Sequence, residues 1–134
     1  NRTINEPIGR HPKIRTKQAI TQNGKEAITR LTVLESLDGY SLLRVNLETG
    51  RTHQIRVHLS HIGYPIVGDP VYGNRNKFSP GSNEELKKVI SGFKRQALHA
   101  EELQLIHPSN KELISFRVDM PSDMQTLLNE IQNK

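Results

Sequence analysis

The feature that most limits what this chain can fold into is a change of hydrophobic period at Gly50. Residues 40–49 (YSLLRVNLET) alternate, with Leu43, Val45 and Leu47 on one face and Leu42, Arg44 and Asn46 on the other. That is the period of two that a strand requires. From residue 53 to residue 62 (HQIRVHLSHI) the apolar positions become Ile55, Leu59 and Ile62, an i, i+4, i+7 stripe along one side of a helix. Thr52 is the expected N-cap. Gly63 falls just past the helix end, followed by Pro65, the usual order of a helix stop. A strand that ends at a glycine and passes at once into a short helix excludes an all-α or an all-β reading.

The rest of the chain supplies partners for that unit. Residues 27–37 (AITRLTVLESL) read as a strand, and Asp38-Gly39 is a two-residue hairpin signal joining it to residues 40–49. Residues 4–8 form a short strand that Gly9-Arg10-His11-Pro12 should break, and Gln22-Asn23-Gly24-Lys25 marks a turn after a poorly alternating stretch. Residues 66–73 read as an ordered loop and 74–83 as a polar insertion. Residues 84–94 should form a helix, acidic at its start and basic towards its end as the macrodipole prefers. Strands are expected at 97–106 and 113–119, and a last helix at 122–133 capped by Ser122 or Asp123. The sum is an α+β fold, an antiparallel-rich mixed sheet with short helices, organised as one unit over residues 1–134.

Charge narrows the partner. The formal net charge is +5, and residues 1–30 alone hold seven basic residues against two acidic ones, while residues 31–134 hold twelve of each. A polyanion such as RNA suits that stretch; a solvated basic surface is the plainer reading. No apolar run approaches the length of a membrane span and no signal-peptide pattern opens the chain. Cysteine is absent, which excludes disulfides and thiolate chemistry and is compatible with a reducing cytoplasm.

Chemistry concentrates at Gly50-Arg51-Thr52-His53-Gln54-Ile55-Arg56-Val57-His58-Leu59. A helix N-terminus offers free N–H groups and a positive dipole end, and Arg51 and His53 add donors there. Arg56 lies one turn beyond His53, beside the core-facing Ile55, so it should be partly buried. A buried guanidinium needs a carboxylate or phosphate; a structural acid would serve as well as a substrate. His58 and His61 share a helix face, yet no third ligand comes at a defined spacing and HEXXH is absent, so no metal is expected. His99 and His107 read as hydrogen-bonded structural histidines. Gly68-Asp69-Pro70 reads as a turn whose aspartate caps its own backbone.

The run from Leu47 to Leu59, followed by Ile62-Gly63-Tyr64-Pro65-Ile66-Val67-Gly68-Asp69-Pro70-Val71-Tyr72-Gly73, resembles the signature of the RluA family of RNA pseudouridine synthases. Pro7-Ile8-Gly9-Arg10-His11-Pro12 is similar to the family's upstream element. Arg95-Gln96-Ala97-Leu98-His99-Ala100, His107-Pro108 and Met120-Pro121-Ser122-Asp123-Met124 are similar to its downstream ones. The insertion at 74–95 looks most like that of the RluD-type enzymes of large-subunit rRNA.

The resemblance implies isomerisation of uridine to pseudouridine in RNA, with 23S rRNA the expected substrate and the cytoplasm the expected location. It implies no metal and no organic cofactor. It implies Arg56 as the basic residue that ion-pairs with the family's catalytic aspartate. Arg51, His53 and Gln54, together with Arg10, Lys13, Arg15 and Lys17, are the expected substrate-binding residues. Ile66 and Val67 are expected to pack beneath the base pocket or line it. The family's His-Arg-Leu-Asp element, which carries the aspartate, does not occur in these 134 residues, and the family's active-site tyrosine also lies upstream. The chain is therefore expected to be the C-terminal part of a synthase catalytic domain, inactive alone and dependent on the N-terminal half. The alternative is a non-catalytic RNA-binding module of the same fold.

Overall fold

In a computed structural model of the chain, residues 1–37, 39–73, 78, 82–106 and 108–132 are described. Ten elements follow in order: β1 (Arg2–Asn5), β2 (Ile8–Arg10), β3 (Gln18–Ile20), β4 (Ile28–Leu37), β5 (Tyr40–Leu47), α1 (Gln54–His61), α2 (Glu84–Gly92), β6 (Glu102–Ile106), β7 (Leu113–Arg117) and α3 (Ser122–Gln132). The α+β class is as expected, and among the described residues every strand pairing is antiparallel. The strands fall into three sheets rather than one: β1-β4-β5, β2-β3 and β6-β7. Among the described residues no helix is long and apolar enough to cross a membrane.

The period change at Gly50 is what positions the site. β4 and β5 pair from Thr29↔Leu47 to Leu37↔Tyr40, with a register shift between Val33 and Glu35. Their alternation turns Leu31, Leu43 and Val45 towards α1, whose Ile55, Leu59 and Ile62 complete a core with Ile4 and Ile66. The stripe read from the sequence is therefore the face that docks. A second cluster, Ile8, Ala27 and Val57 with Ile20 and Tyr72, fastens the other side of α1 to the N-terminal strands. A third joins α2 and α3 through Leu86, Leu127 and Ile131, with Val67 packed against it.

Several local expectations differ from the structure. Gly9 and Arg10 do not break the first strand but lie inside β2, paired with Ala19 and Gln18. Thr52 does not cap α1: the N-cap is His53, at φ 55 and ψ 23, with no side-chain cap. Gln54 replaces it, its Oε1 accepting from the Arg51 N–H at 3.0 Å. α2 ends at Gly92 with no basic residue in its last turn, and its N-cap is Asn83, whose side chain accepts from the Leu86 N–H. Residues 97–101 are not strand, because the Ala97 N–H is already spent on the Val67 carbonyl at 2.8 Å. Gly63 has φ 87, as its place past the helix end requires. Asp38, His107 and most of the polar insertion lie outside the described residues.

Candidate functional site

Helix α1 is fixed on its inner side by a directional chain of buried hydrogen bonds. His58 is fully buried. Its Nε2 faces the Glu6 carbonyl at 2.9 Å, so Nε2 carries the proton and donates. Nδ1 is then an acceptor, and the Thr29 hydroxyl donates to it at 2.7 Å. Thr29 Oγ1 in turn accepts from Gln54 Nε2 at 2.9 Å. Gln54 also donates to the Ile28 carbonyl at 3.0 Å and accepts from the Thr49 hydroxyl at 2.7 Å. Every side chain in this series is paired at both ends, which the cost of a buried unpaired polar group demands. Burial pushes the His58 pKa below its ordinary value, against the pull of the Glu6 carbonyl; nearby His61 adds to the lowering.

This corrects one expected substrate-binding residue. Gln54 is buried and both ends of its amide are committed inside the chain, so it is a connector between β4 and α1. It also removes the histidine pair as ligands, since both His58 nitrogens are occupied.

The outward side of α1 carries a second cluster. Arg56 and Asp69 form a two-point pair, Nε to Oδ2 at 2.9 Å and Nη2 to Oδ1 at 2.9 Å. The arginine side chain is 11% exposed and the aspartate side chain 0%. Asp69 Oδ1 also accepts from the Val71 and Tyr72 amides at 3.0 and 3.1 Å, so the aspartate does cap its own turn as the sequence suggests. It also supplies the acid that a part-buried Arg56 needs. Burial alone would push the Asp69 pKa up. The hydrogen bonds from Arg56, Tyr72 and Val71, with the arginine's charge, outweigh it, and the carboxyl is held below its ordinary value. The hydrogen bond that Arg56 donates to Asp69 raises the Arg56 pKa, with burial opposing and the carboxylate charge reinforcing.

Tyr72 gathers the remaining groups. Its hydroxyl accepts from the Gln18 N–H at 2.9 Å and shares a hydrogen bond with His53 Nδ1 at 2.9 Å. The Arg56 guanidinium lies 5.0 Å from its ring centroid, Lys17 Nζ 5.5 Å, and the His53 ring meets it edge-on at 5.6 Å. The structure thus brings Lys17, His53 and Arg56 together. Arg10, Lys13 and Arg15 are exposed, on and just after β2. Arg51 is drawn aside, its Nε donating to the Glu26 carbonyl at 2.8 Å. Ile66 and Val67 pack in the first and third cores. His99 Nε2 bonds the Val118 carbonyl at 2.8 Å.

Sequence reasoning missed Tyr72 as a hub. The available signal was its place in the Asp69–Gly73 turn, where the Gly73 amide returns to the Asp69 carbonyl at 3.2 Å and a Cβ on Gly73 would stand 2.4 Å from that oxygen.

Residues 1–61 match the family model described as RNA pseudouridylate synthase. The chain is 48% identical over 126 residues to the ribosomal large subunit pseudouridine synthase D of Pseudomonas aeruginosa, covering 94% of this chain and 39% of that protein. It is 46% identical over 129 residues to the protein of the same name in Haemophilus ducreyi, covering 96% of this chain and 40% of that one. A solved structure, human RNA pseudouridylate synthase domain containing 1, superposes with a TM-score of 0.64 at 30% identity, over 87% of this chain and 47% of that one. The chain spans about 40% of the length of the curated relatives it matches. Residues 1–61 thus match the RNA pseudouridylate synthase family, and over 94–96% of its length this chain is similar to part of the ribosomal large subunit pseudouridine synthases D.

Proposed function

We propose that these 134 residues are the C-terminal part of the catalytic domain of an RNA pseudouridine synthase acting on large-subunit rRNA, with the nucleophilic aspartate supplied by sequence outside them. The observation that carries the reading is the convergence of Lys17, His53 and Arg56 on Tyr72, a cationic cluster within the segment that matches the relatives. In the reaction, the target uridine leaves its stack to be reached. The N-glycosidic bond breaks and the base is reattached through carbon. The attacking aspartate must be ionised, and a neighbouring guanidinium lowers a carboxylate pKa by about 1–3 units while orienting it. Arg56 takes that role, and Lys17 and His53, gathered with it on Tyr72, hold the RNA around the flipped nucleotide. An rRNA substrate places the work in the cytoplasm.

The test is an assay for pseudouridine. The chain incubated with a large-subunit rRNA transcript is expected to form none. The same residues joined to a segment bearing the family's His-Arg-Leu-Asp element are expected to form it. Turnover by the chain alone at the rate of a full-length relative would show that the nucleophile lies among its own acids, and would overturn the reading.

Binding gives a second expected outcome. Arg10, Lys13 and Arg15 are exposed and serve to neutralise RNA phosphates. Changing all three to glutamine should weaken RNA binding regardless of sequence. It should also flatten the dependence of log affinity on log salt by about 0.7–0.9 for each phosphate no longer neutralised. An unchanged slope in a salt titration would make them a solvated surface only.

A further inference from the structure

Arg56 uses only part of its donor set inside the chain. A guanidinium has five N–H donors in a planar fork. Asp69 takes Nε and one Nη2 proton along one edge, and the Tyr72 ring lies against a face at 5.0 Å. Among the described residues no buried side-chain nitrogen or oxygen lacks a hydrogen-bond partner. Nη1 bonds to none of them, so it reaches the surface. The side chain as a whole is 11% exposed. Asp69 itself cannot swing away. Its side chain is fully buried and two amides of its own turn hold Oδ1. The turn is closed by Gly68 at φ 80, where a Cβ would stand 2.2 Å from the Arg95 carbonyl oxygen. Tyr72 is equally fixed, its ring in the core with Ile8, Ala27 and Val57 and its hydroxyl on Gln18 and His53.

We propose that Asp69 and Tyr72 are positioning residues, which clamp one edge and one face of the Arg56 guanidinium so that it presents only its Nη1–Nη2 edge to a carboxylate entering the site. The inference rests on the function proposed above, in which that carboxylate is the nucleophile's. Asp69 is thus not a competitor for Arg56 but the group that aims it. A side-on carboxylate fixes the guanidinium plane, and the end-on edge is then directed without further ordering when the second carboxylate arrives. Misplacement of an orienting group by about 1 Å can cost about 100-fold in rate, so the clamp carries weight in turnover without touching the reacting atoms.

Two arms test it separately. In the 134-residue chain, the Arg56 Nε–H resonance in a side-chain nitrogen–proton NMR correlation should exchange slowly with water. Asp69→Asn should speed that exchange about ten-fold or more. Tyr72→Phe, which keeps the ring, should leave it unchanged, whereas Tyr72→Leu should not. In the longer protein carrying the His-Arg-Leu-Asp element, Asp69→Asn should lower kcat about 100-fold with RNA affinity unchanged. In an Arg56→Lys background, where no fork exists to aim, Asp69→Asn should add no further loss. Unchanged Nε exchange in Asp69→Asn, or a full additional loss in the lysine background, would overturn the proposal. Should Asp69→Asn fail to fold, Tyr72→Leu against Tyr72→Phe decides it by the same readings. A longer protein with no activity at all would sink the function proposed above while the NMR arm still judges the clamp.

Discussion

Replacing Asp69 by alanine is expected to destabilise the chain by about 3–5 kcal/mol, the usual result of deleting one member of a buried ion pair. The magnitude follows from what is left behind. Arg56 keeps its charge at 11% exposure with no carboxylate beside it, and the Val71 and Tyr72 amides lose their common acceptor. Domains of this kind are stable by only about 5–15 kcal/mol, so the variant should be close to unfolding at ordinary temperature. Arg56→Ala should cost less, because Asp69 then retains its two amide donors and can accept a proton. A urea midpoint at constant slope measures both. A loss below about 1 kcal/mol in Asp69→Ala would mean that the pair is solvated. Acid acts on the same pair. The Asp69 carboxyl titrates below its ordinary value in the fold. Its stabilisation is therefore present above the ordinary aspartate pKa of about 3.9 and is lost as pH falls through the lower folded value.

His58→Ala should be as damaging, at about 3–5 kcal/mol, since a cavity is added to the broken hydrogen bonds. The ring is fully buried, and its removal leaves the Glu6 carbonyl and the Thr29 hydroxyl without their partner. His61→Ala, on the same helix but exposed, should fall within about 0.5 kcal/mol of the parent. Equal effects at the two positions would sink the argument. The histidine also sets an earlier acid limit. Its folded pKa is lowered, so the unfolded chain binds the proton first. Stability contributed by the neutral ring is complete above the ordinary value of about 6.5 and declines as pH falls below it. Two successive losses are expected in an acid titration of stability, the first removed by His58→Gln and the second by Asp69→Asn. A single transition confined to the carboxylate range would count against the His58 assignment.

The elements that were legible in the sequence are those whose signal is local. The alternation of Leu43 and Val45, the stripe of Ile55, Leu59 and Ile62, and Gly63 at the helix end each follow from a period or a backbone constraint, and each stands in the structure where the pattern put it. Motif resemblance carried the family in the same way, because it is a statement about order along the chain. The N-cap failed because capping at α1 is decided by a side chain inside the helix: Gln54 folds back to the Arg51 amide and leaves Thr52 exposed.

By itself the sequence determined the α+β class, the strand-to-helix switch at Gly50, the basic N-terminal stretch and the resemblance to pseudouridine synthases. Only the tertiary structure decided which side chains meet. Arg56 and Asp69 are thirteen residues apart and Gln18 and Tyr72 fifty-four, separations at which composition and spacing carry no preference for one partner over another. What selects them is burial. Once α1 lies on the β1-β4-β5 sheet, a polar group buried on either side of it must find a partner within about 3 Å or forfeit its solvation, and the geometry of that packing, absent from the linear chain, made Gln54 a connector, His58 a keystone and Asp69 the anchor of Arg56.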